Sequence, residues 1–275
     1  MTESVKIETV TPAIARKWLE GNVDNRRLRE TRVVYLARIL ADGEWELTGD
    51  AIVFDDQGVL INGQHRLSAV VIANIPARFL ILRGVPTTAQ EVMDQNLSRS
   101  VADQLQRRGI SYPHVIASAL GWLAHFEYTE ETGNVHYASS ALRPSLRHLL
   151  SLFEQNTELA QEAQGMSKLS YHLKVRPGPT LAAKHRLIQV NSEEAEIFFK
   201  HLAEGVGLSR DDPIRRLREW CLVDKSSIRG SGRAPTYRYI AQVFKAWNFW
   251  REGESVQRLT WVFSPTKKEP WPVPK

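Results

Sequence analysis

The chain has 275 residues, 43% of them hydrophobic and 24% charged, a composition typical of a globular protein with one large or two medium domains. The single cysteine, Cys221, excludes an intrachain disulfide and a cysteine-ligated metal cluster, and its apolar neighbours predict a buried side chain. The most apolar run, residues 67–82, is interrupted by Asn74, Pro76 and Arg78, so we expect no membrane partner. The N-terminal residues MTESVKIE lack the pattern of a secretion signal, and we expect a reducing, cytoplasmic compartment.

The formal net charge of +5 is unevenly distributed along the chain. Residues 1–110 hold 14 basic and 14 acidic residues, so the remaining 22 basic and 17 acidic residues carry the whole excess. Within that half, residues 225–251 contain six basic residues and no acidic one. The overall excess says little about partners, but an acid-free basic stretch favours contact with nucleic acid.

Residues 1–109 alternate between helix and strand patterns. Thr11 and Pro12 predict a helix start, with a capping hydroxyl and a proline in the first turn, and we expect that helix to end near Gly21. Ser100 and Asp103 resemble a capping box that opens another helix, through residue 108. The other predicted helices span residues 25–42, 67–74 and 88–93. Strands are predicted over residues 51–54, 59–61 and 77–82, the first two forming a hairpin around residues 55–58.

The second half of the chain carries long helical patterns instead, at residues 114–128, 142–153, 180–189, 193–204 and 236–252. The change of pattern places a domain boundary near residues 109–113. The predicted fold class is therefore α+β. It comprises an N-terminal domain of residues 1–109, a mainly α-helical domain of residues 110–255, and a tail of residues 256–275 extended over the surface.

Residues 60–70 read LINGQHRLSAV, an apolar strand that ends in Asn-Gly-Gln-His-Arg and restarts at once as an apolar helix. Such a junction can bind an anion, because the first turn of a helix presents unpaired N–H groups and the positive end of the helix dipole. Gly63 would let a phosphate approach the backbone, and Arg66 could hold two phosphate oxygens. His65 could donate a hydrogen bond or act as acid or base, and Gln64 could orient a group. A purely structural turn, with Arg66 in solvent, stays open as an alternative.

Residues 63–69 (GQHRLSA) fit the G-x-x-R-x-x-A box of the ParB/sulfiredoxin superfamily, and three other stretches agree in order and rough spacing. Residues 23–29 (VDNRRLR) resemble the N-P-x-x-x-R opening of ParB domains without its proline. Residues 49–53 (GDAIV) resemble the strand that follows a glycine in the family, and residues 95–99 (QNLSR) resemble its E-N-x-Q-R box. The resemblance covers about residues 8–105 and extends to ParB-like proteins of phages and prophages of actinobacteria, which also carry a helical C-terminal half.

This resemblance implies a ParB/sulfiredoxin-like N-terminal domain with a nucleotide site. ParB proteins bind and hydrolyse CTP with magnesium, and other members of the fold use ATP or ADP, so the implied ligands are ATP or CTP with Mg2+. By position in the motifs, the residues that would hold the phosphates are Gly63, Gln64, His65 and Arg66. The residues that would complete or close the site are Arg26, Asn96 and Arg99.

Two positions depart from the family pattern. Gln95 stands where the E-N-x-Q-R box has its glutamate, so the usual magnesium carboxylate is missing there. Asp94 is the replacement we expect as the metal ligand, because Mg2+ needs only one or two carboxylates beside phosphate oxygens. Gln64 stands where sulfiredoxin has a cysteine, which excludes sulfinic acid repair.

The predicted function is nucleotide-dependent phosphoryl chemistry associated with DNA, either NTP hydrolysis or transfer to a hydroxyl. If the protein is an enzyme, the catalytic candidates are His65, Arg66 and Asp94, with Arg66 and Arg99 stabilising the transferring phosphate. The main alternative is a non-catalytic DNA-binding or regulatory protein, which Gln95 favours. A metal-dependent nuclease is a further alternative, although the aspartates of the hairpin, Asp50, Asp55 and Asp56, suit turns for reasons of their own.

Residues 225–250 provide the candidate DNA contacts. A Ser/Gly-rich loop carries the basic residues Arg229 and Arg233, which suit a nucleic-acid backbone. The aromatic residues that follow lie near helical spacing and predict a core stripe: Tyr237, Phe244, Trp247 and Trp250. Residues 209–222 form a capped basic helix that could belong to a helix-turn-helix, but no clear partner helix precedes it. A homodimer is compatible with the sequence, which does not fix the oligomeric state.

Overall fold

The computed structural model describes residues 3–21, 28–86, 100–132, 144–223, 233–262 and 269–275, with the side chains of residues 223 and 233–235 left out. These residues form an α+β fold with a four-stranded mixed sheet and twelve helices. They divide into two compact units, each with its own hydrophobic core. Residues 3–21, 28–86 and 144–145 belong to the first unit, and the other described residues belong to the second.

The first unit contains four strands and three helices. In chain order they are β1 (Ser4–Val10), α1 (Pro12–Glu20), α2 (Glu30–Ala41), β2 (Ile52–Asp55), β3 (Leu60–Asn62), α3 (Gln64–Ala73) and β4 (Ala77–Val85). The predicted strands at residues 51–54, 59–61 and 77–82 are confirmed to within three residues, and the predicted cap of α1 is confirmed by a bond from the Ile14 N–H to the Thr11 hydroxyl. The sequence analysis did not predict β1.

The strands lie in the order β1-β4-β2-β3. Strand β4 pairs with β1 in antiparallel and with β2 in parallel orientation, and β2 and β3 form the predicted antiparallel hairpin. Alternate residues of the central strands, among them Ile52, Phe54, Phe79 and Ile81, are buried together with side chains of all three helices. The helices therefore pack on one face of the sheet, and the chain passes from β3 straight into α3.

The second unit is helical throughout its regular structure. Its helices are α4 (Val101–Arg107), α5 (Pro113–Thr132), α6 (Leu146–Gln155), α7 (Leu159–Glu162), α8 (Met166–Leu173), α9 (Pro177–Val190), α10 (Ser192–Glu204), α11 (Pro213–Val223) and α12 (Arg233–Arg251). The predicted core stripe of α12 is confirmed, since Phe244 and Trp247 are buried and Tyr237 and Trp250 pack against the same core. Cys221 is buried as predicted, and burial raises the pKa of its thiol.

The capping box of α4 is confirmed. The Ser100 hydroxyl accepts a bond from the Asp103 N–H, and the Asp103 carboxylate accepts bonds from the Ser100 N–H and hydroxyl, which lower the pKa of that carboxyl. The predicted boundary near residues 109–113 places α4 in the N-terminal domain. In the structure Leu105 packs in the core of the helical unit, because that core supplies the apolar surface that α4 needs.

The C-terminal tail differs from the prediction. Its described residues have no regular secondary structure, but Leu259, Trp261 and Trp271 are buried in the core of the helical unit. The backbone is held as well, because the Trp247 indole N–H donates to the Lys275 carbonyl at 3.0 Å. The tail is thus part of the helical core, since two tryptophans bury more apolar area there than a surface segment could.

Two glycines of the helical unit form a matched test of its packing. A side chain at Gly178 of α9 would overlap Ser118 of α5 and lie 3.2 Å from the Val115 carbonyl, whereas Gly121 has no such neighbour within 4 Å. We expect Gly178→Ala to lower the free energy of unfolding by about 1–3 kcal/mol through overpacking. Gly121→Ala should raise it by about 0.5–1 kcal/mol, because alanine loses less entropy in a helix. Urea unfolding measures both, and equal stabilities would contradict the packing.

Candidate functional site

Helix α3 begins at Gln64, three residues earlier than predicted. Gln64, His65 and Arg66 therefore form the first turn of the helix, and the N–H groups of Arg66 and Leu67 both bond to the Gly63 carbonyl at 3.0 Å. This turn contains no acidic residue. The positive end of the helix dipole and the basic side chains accordingly coincide here, an arrangement that favours an anion.

Gly63 makes the junction between β3 and α3 sterically feasible. Its φ of +112° lies in the region that favours glycine, and a Cβ there would overlap the Ile52 side chain and lie 3.3 Å from Ile52 Cα. The glycine thus allows the start of α3 to lie directly against β2. This geometric role was the structural alternative considered for the motif, and close approach of a phosphate to Gly63 stays a prediction.

His65 connects the start of α3 to the start of α2. Its Nε2 accepts a hydrogen bond of 3.0 Å from the backbone N–H of Arg29, the residue that precedes α2. A ring nitrogen that accepts a bond carries no proton, so a neutral His65 carries its proton on Nδ1. Any hydrogen bond that the neutral ring donates must then come from Nδ1–H.

Arg66 binds the chain that enters β2. Its guanidinium donates from Nη1 to the Asp50 carbonyl and from Nη2 to the Ala51 carbonyl, the latter at 2.8 Å. The side chain is half-buried and bonded to the backbone, whereas the structural alternative had placed it in solvent. Both Nη atoms of the fork that was expected to hold two phosphate oxygens donate to carbonyls, and a contact of this fork with phosphate stays a prediction. The planar fork of arginine matches two adjacent carbonyl oxygens, which a lysine could not bridge in the same way.

The aspartates of the β2–β3 hairpin bear on the nuclease alternative. The Asp55 carboxylate, which is buried, accepts bonds from the N–H groups of Gln57 (3.0 Å) and Val59 (2.7 Å), so it holds the turn as predicted for aspartate. Within the described ranges, no three acidic, histidine or cysteine side chains are arranged to hold a metal ion.

Gln64 of the motif is buried, with 5% of its surface exposed.

The structure thus brings together four of the predicted site residues, Gly63, Gln64, His65 and Arg66. The predicted residues that lie outside the described ranges are Arg26, Asp94, Asn96, Arg99 and Arg229. Arg233 begins α12, with its side chain outside the description. The backbone partners of the motif, the N–H of Arg29 and the carbonyls of Asp50 and Ala51, could not be predicted because main-chain groups leave no signal in a sequence.

The basic helix α11 does not form a helix-turn-helix with α10. Eight residues, 205–212, separate the two helices, whereas the turn of that motif has three or four. Its arginines are bonded within the fold: Arg218 donates to the Leu202 and Ala203 carbonyls at the end of α10, and Arg216 donates to Asp211 and Glu219. The arginines of α11 therefore form contacts within the fold, with carbonyls at the end of α10 and with neighbouring carboxylates.

No protein-family model, no curated protein and no solved structure matches the chain. Among the described residues, no helix is both long and apolar enough to cross a membrane.

The two bonds of Arg66 predict a structural cost when it is replaced. Arg66→Ala should speed hydrogen exchange in residues 50–66 and lower the stability of the first unit by about 1–3 kcal/mol, because two backbone bonds are lost. Arg66→Lys should fall between this variant and wild type, since it keeps the charge without the fork. Arg16→Ala is the control, because the Arg16 side chain is exposed on α1 and forms no hydrogen bond or ion pair with a described residue. Unchanged exchange in Arg66→Ala would show that these bonds do not hold the unit together.

Proposed function

We propose that the first turn of α3 binds the phosphates of a nucleoside triphosphate, ATP or CTP with Mg2+. The protein would be a nucleotide-binding protein of the ParB/sulfiredoxin kind that links NTP hydrolysis or phosphoryl transfer to DNA. The observation that supports this proposal is the position of Gln64, His65 and Arg66 at the start of α3, directly after a glycine. An imidazole N–H and the positive end of a helix dipole suit phosphate oxygens, and a guanidinium held beside them adds positive charge.

His65 has a defined role in this proposal. Its Nδ1–H donates to a phosphate oxygen while its Nε2 stays bonded to the Arg29 N–H. Arg66 contributes positive charge from a fixed position, because its fork is bonded to the Asp50 and Ala51 carbonyls. Asp94 as metal ligand, and Arg26, Asn96 and Arg99 around the phosphates, are proposed on the sequence resemblance alone.

One observation favours a second candidate, a regulatory protein that senses a nucleotide without turning it over. A general base needs a free lone pair, and the lone pair of a neutral His65 is used by the Arg29 N–H. Acid–base catalysis by His65 would require that bond to break. If His65 only binds phosphate through its Nδ1–H, the bond from the Arg29 N–H can stay in place.

The DNA partner is proposed from charge. The excess positive charge of the chain lies in residues 111–275, and residues 225–251 carry six basic residues without an acidic one. Arg229 and Arg233 are the proposed phosphate contacts on DNA. Because the aromatic residues of α12 pack in the core, base stacking by Phe244 and Trp247 is not part of this proposal.

The nucleotide site is tested by titrating the protein with ATP, CTP, GTP and UTP, each with and without Mg2+, by calorimetry. We expect one nucleotide to bind selectively and to raise thermal stability by roughly 2.7 kcal/mol at 100 times its dissociation constant. His65→Ala and Arg66→Ala should lose this binding while Arg16→Ala keeps it. Circular dichroism must show that each variant is folded at the temperature of titration. Absence of binding by every nucleotide would contradict the proposal.

Phosphate release, measured with and without DNA, separates the two candidates. Sustained phosphate release by the wild type at saturating nucleotide indicates an enzyme. Selective binding without release indicates a sensor, in which the nucleotide changes DNA affinity instead of being consumed.

A further inference from the structure

Strand β1 is an edge strand of the sheet that the described residues form. Its inner side pairs with β4 over all seven residues, from Ser4 opposite Arg83 to Val10 opposite Ala77, and no described strand pairs with the other side. Outward-pointing N–H and C=O groups on such an edge are a template for another strand. Seven residues is longer than the short edge strands by which proteins avoid pairing.

The edge carries exposed apolar side chains. Val5 is 63% and Ile7 is 53% exposed. They lie opposite Leu82 and Leu80 of β4, on the sheet face away from the helices, because the neighbouring residues Phe79 and Ile81 face the core of the first unit. An apolar strip therefore runs along the open edge.

The other face of β1 carries one charge of each sign, two residues apart. Lys6 is exposed and Glu8 is half-buried, and neither forms an ion pair with any described residue. Both point to the helix side of the sheet, since they lie opposite Ile81 and Phe79. The exposure of Lys6 shows that the helices leave this outer edge uncovered.

We propose that β1 is a dimerisation edge on which β1 of a second copy of this chain pairs antiparallel, with Ile7 opposite Ile7. In this register Lys6 of each copy lies opposite Glu8 of the other, and Val5 lies opposite Thr9. The sequence of β1 is thus complementary in charge to itself when reversed about Ile7. The two apolar strips join into one, and two four-stranded sheets become continuous.

The alternative registers are unfavourable. A shift of two residues in one direction places Lys6 opposite Lys6, and in the other direction Glu8 opposite Glu8. A shift of one residue would bring side chains of opposite faces together. Charge and face alternation therefore select the register centred on Ile7. Such an interface is small, so we expect association at micromolar concentrations.

A charge swap tests the proposal on the full chain by sedimentation velocity over about 1–200 µM, a range suited to a small interface. Wild type should dimerise. Lys6→Glu alone and Glu8→Lys alone should each weaken dimerisation by about tenfold or more, because two attractive pairs become repulsive. The double variant Lys6→Glu/Glu8→Lys should restore it. A monomer throughout this range, or a dimer that the single changes leave intact, would overturn the proposal.

Cysteine cross-linking tests the register. Ile7→Cys should form an intermolecular disulfide readily, because residue 7 lies opposite itself, while Val5→Cys should not. The native Cys221 is buried and does not compete. Equal cross-linking of the two variants would overturn the register. Both tests are independent of the nucleotide site, so failure of one proposal does not decide the other.

Discussion

The close contact between Gly63 and Ile52 sets the geometry of the first unit. Only a residue without Cβ, and with a φ of +112°, can lie against the β2 backbone and let the chain turn at once into α3. The turn then places His65 and Arg66 within reach of two other segments. Arg66 bonds the residues before β2, and His65 bonds the residue before α2. Four consecutive residues thus position a strand and two helices.

These structural bonds and the proposed phosphate site involve the same residues, and the two roles are compatible. The fork of Arg66 is held by carbonyl oxygens, which fixes its charge at the helix start without neutralising it. His65 accepts the Arg29 N–H with Nε2, and a neutral ring can donate a hydrogen bond only through Nδ1. A phosphate bound at this turn would therefore act on the starts of α2 and β2 as well. Such a connection suits a protein whose conformation responds to a nucleotide.

Local signals in the sequence predicted much of the fold. The Thr11 cap, the Ser100–Asp103 capping box and the aromatic stripe of α12 depend on neighbouring residues, and the structure contains all three. Helices α7 and α8 were missed because both are short and neither has a side-chain cap. Strand β1 was missed although Val5, Lys6, Ile7 and Glu8 alternate between apolar and polar residues, which is the pattern of a half-exposed strand. The segment had been read only for the absence of a secretion signal.

Long-range packing accounts for the remaining differences. Which core α4 joins, and whether Trp261 and Trp271 are buried, depends on residues far along the chain. The motif of residues 63–66 could be recognised from the sequence as a phosphate candidate. Its main-chain partners could not, because a hydrogen bond to the Arg29 N–H or the Ala51 carbonyl does not depend on the identity of those side chains.

The imidazole of His65 offers the most direct test of the central claim. That claim is that the first turn of α3 binds phosphate through a hydrogen-bond donor, the Nδ1–H of His65, which the fold holds in place. Long-range proton–nitrogen correlation spectra of uniformly labelled protein, with His65→Ala to assign the signal, report which ring nitrogen carries the proton. We predict a neutral ring protonated on Nδ1, whose Nδ1 signal shifts when the selected triphosphate and Mg2+ are added at constant pH. A ring protonated on Nε2, or a signal unchanged by every nucleotide at saturating concentration, would contradict the account.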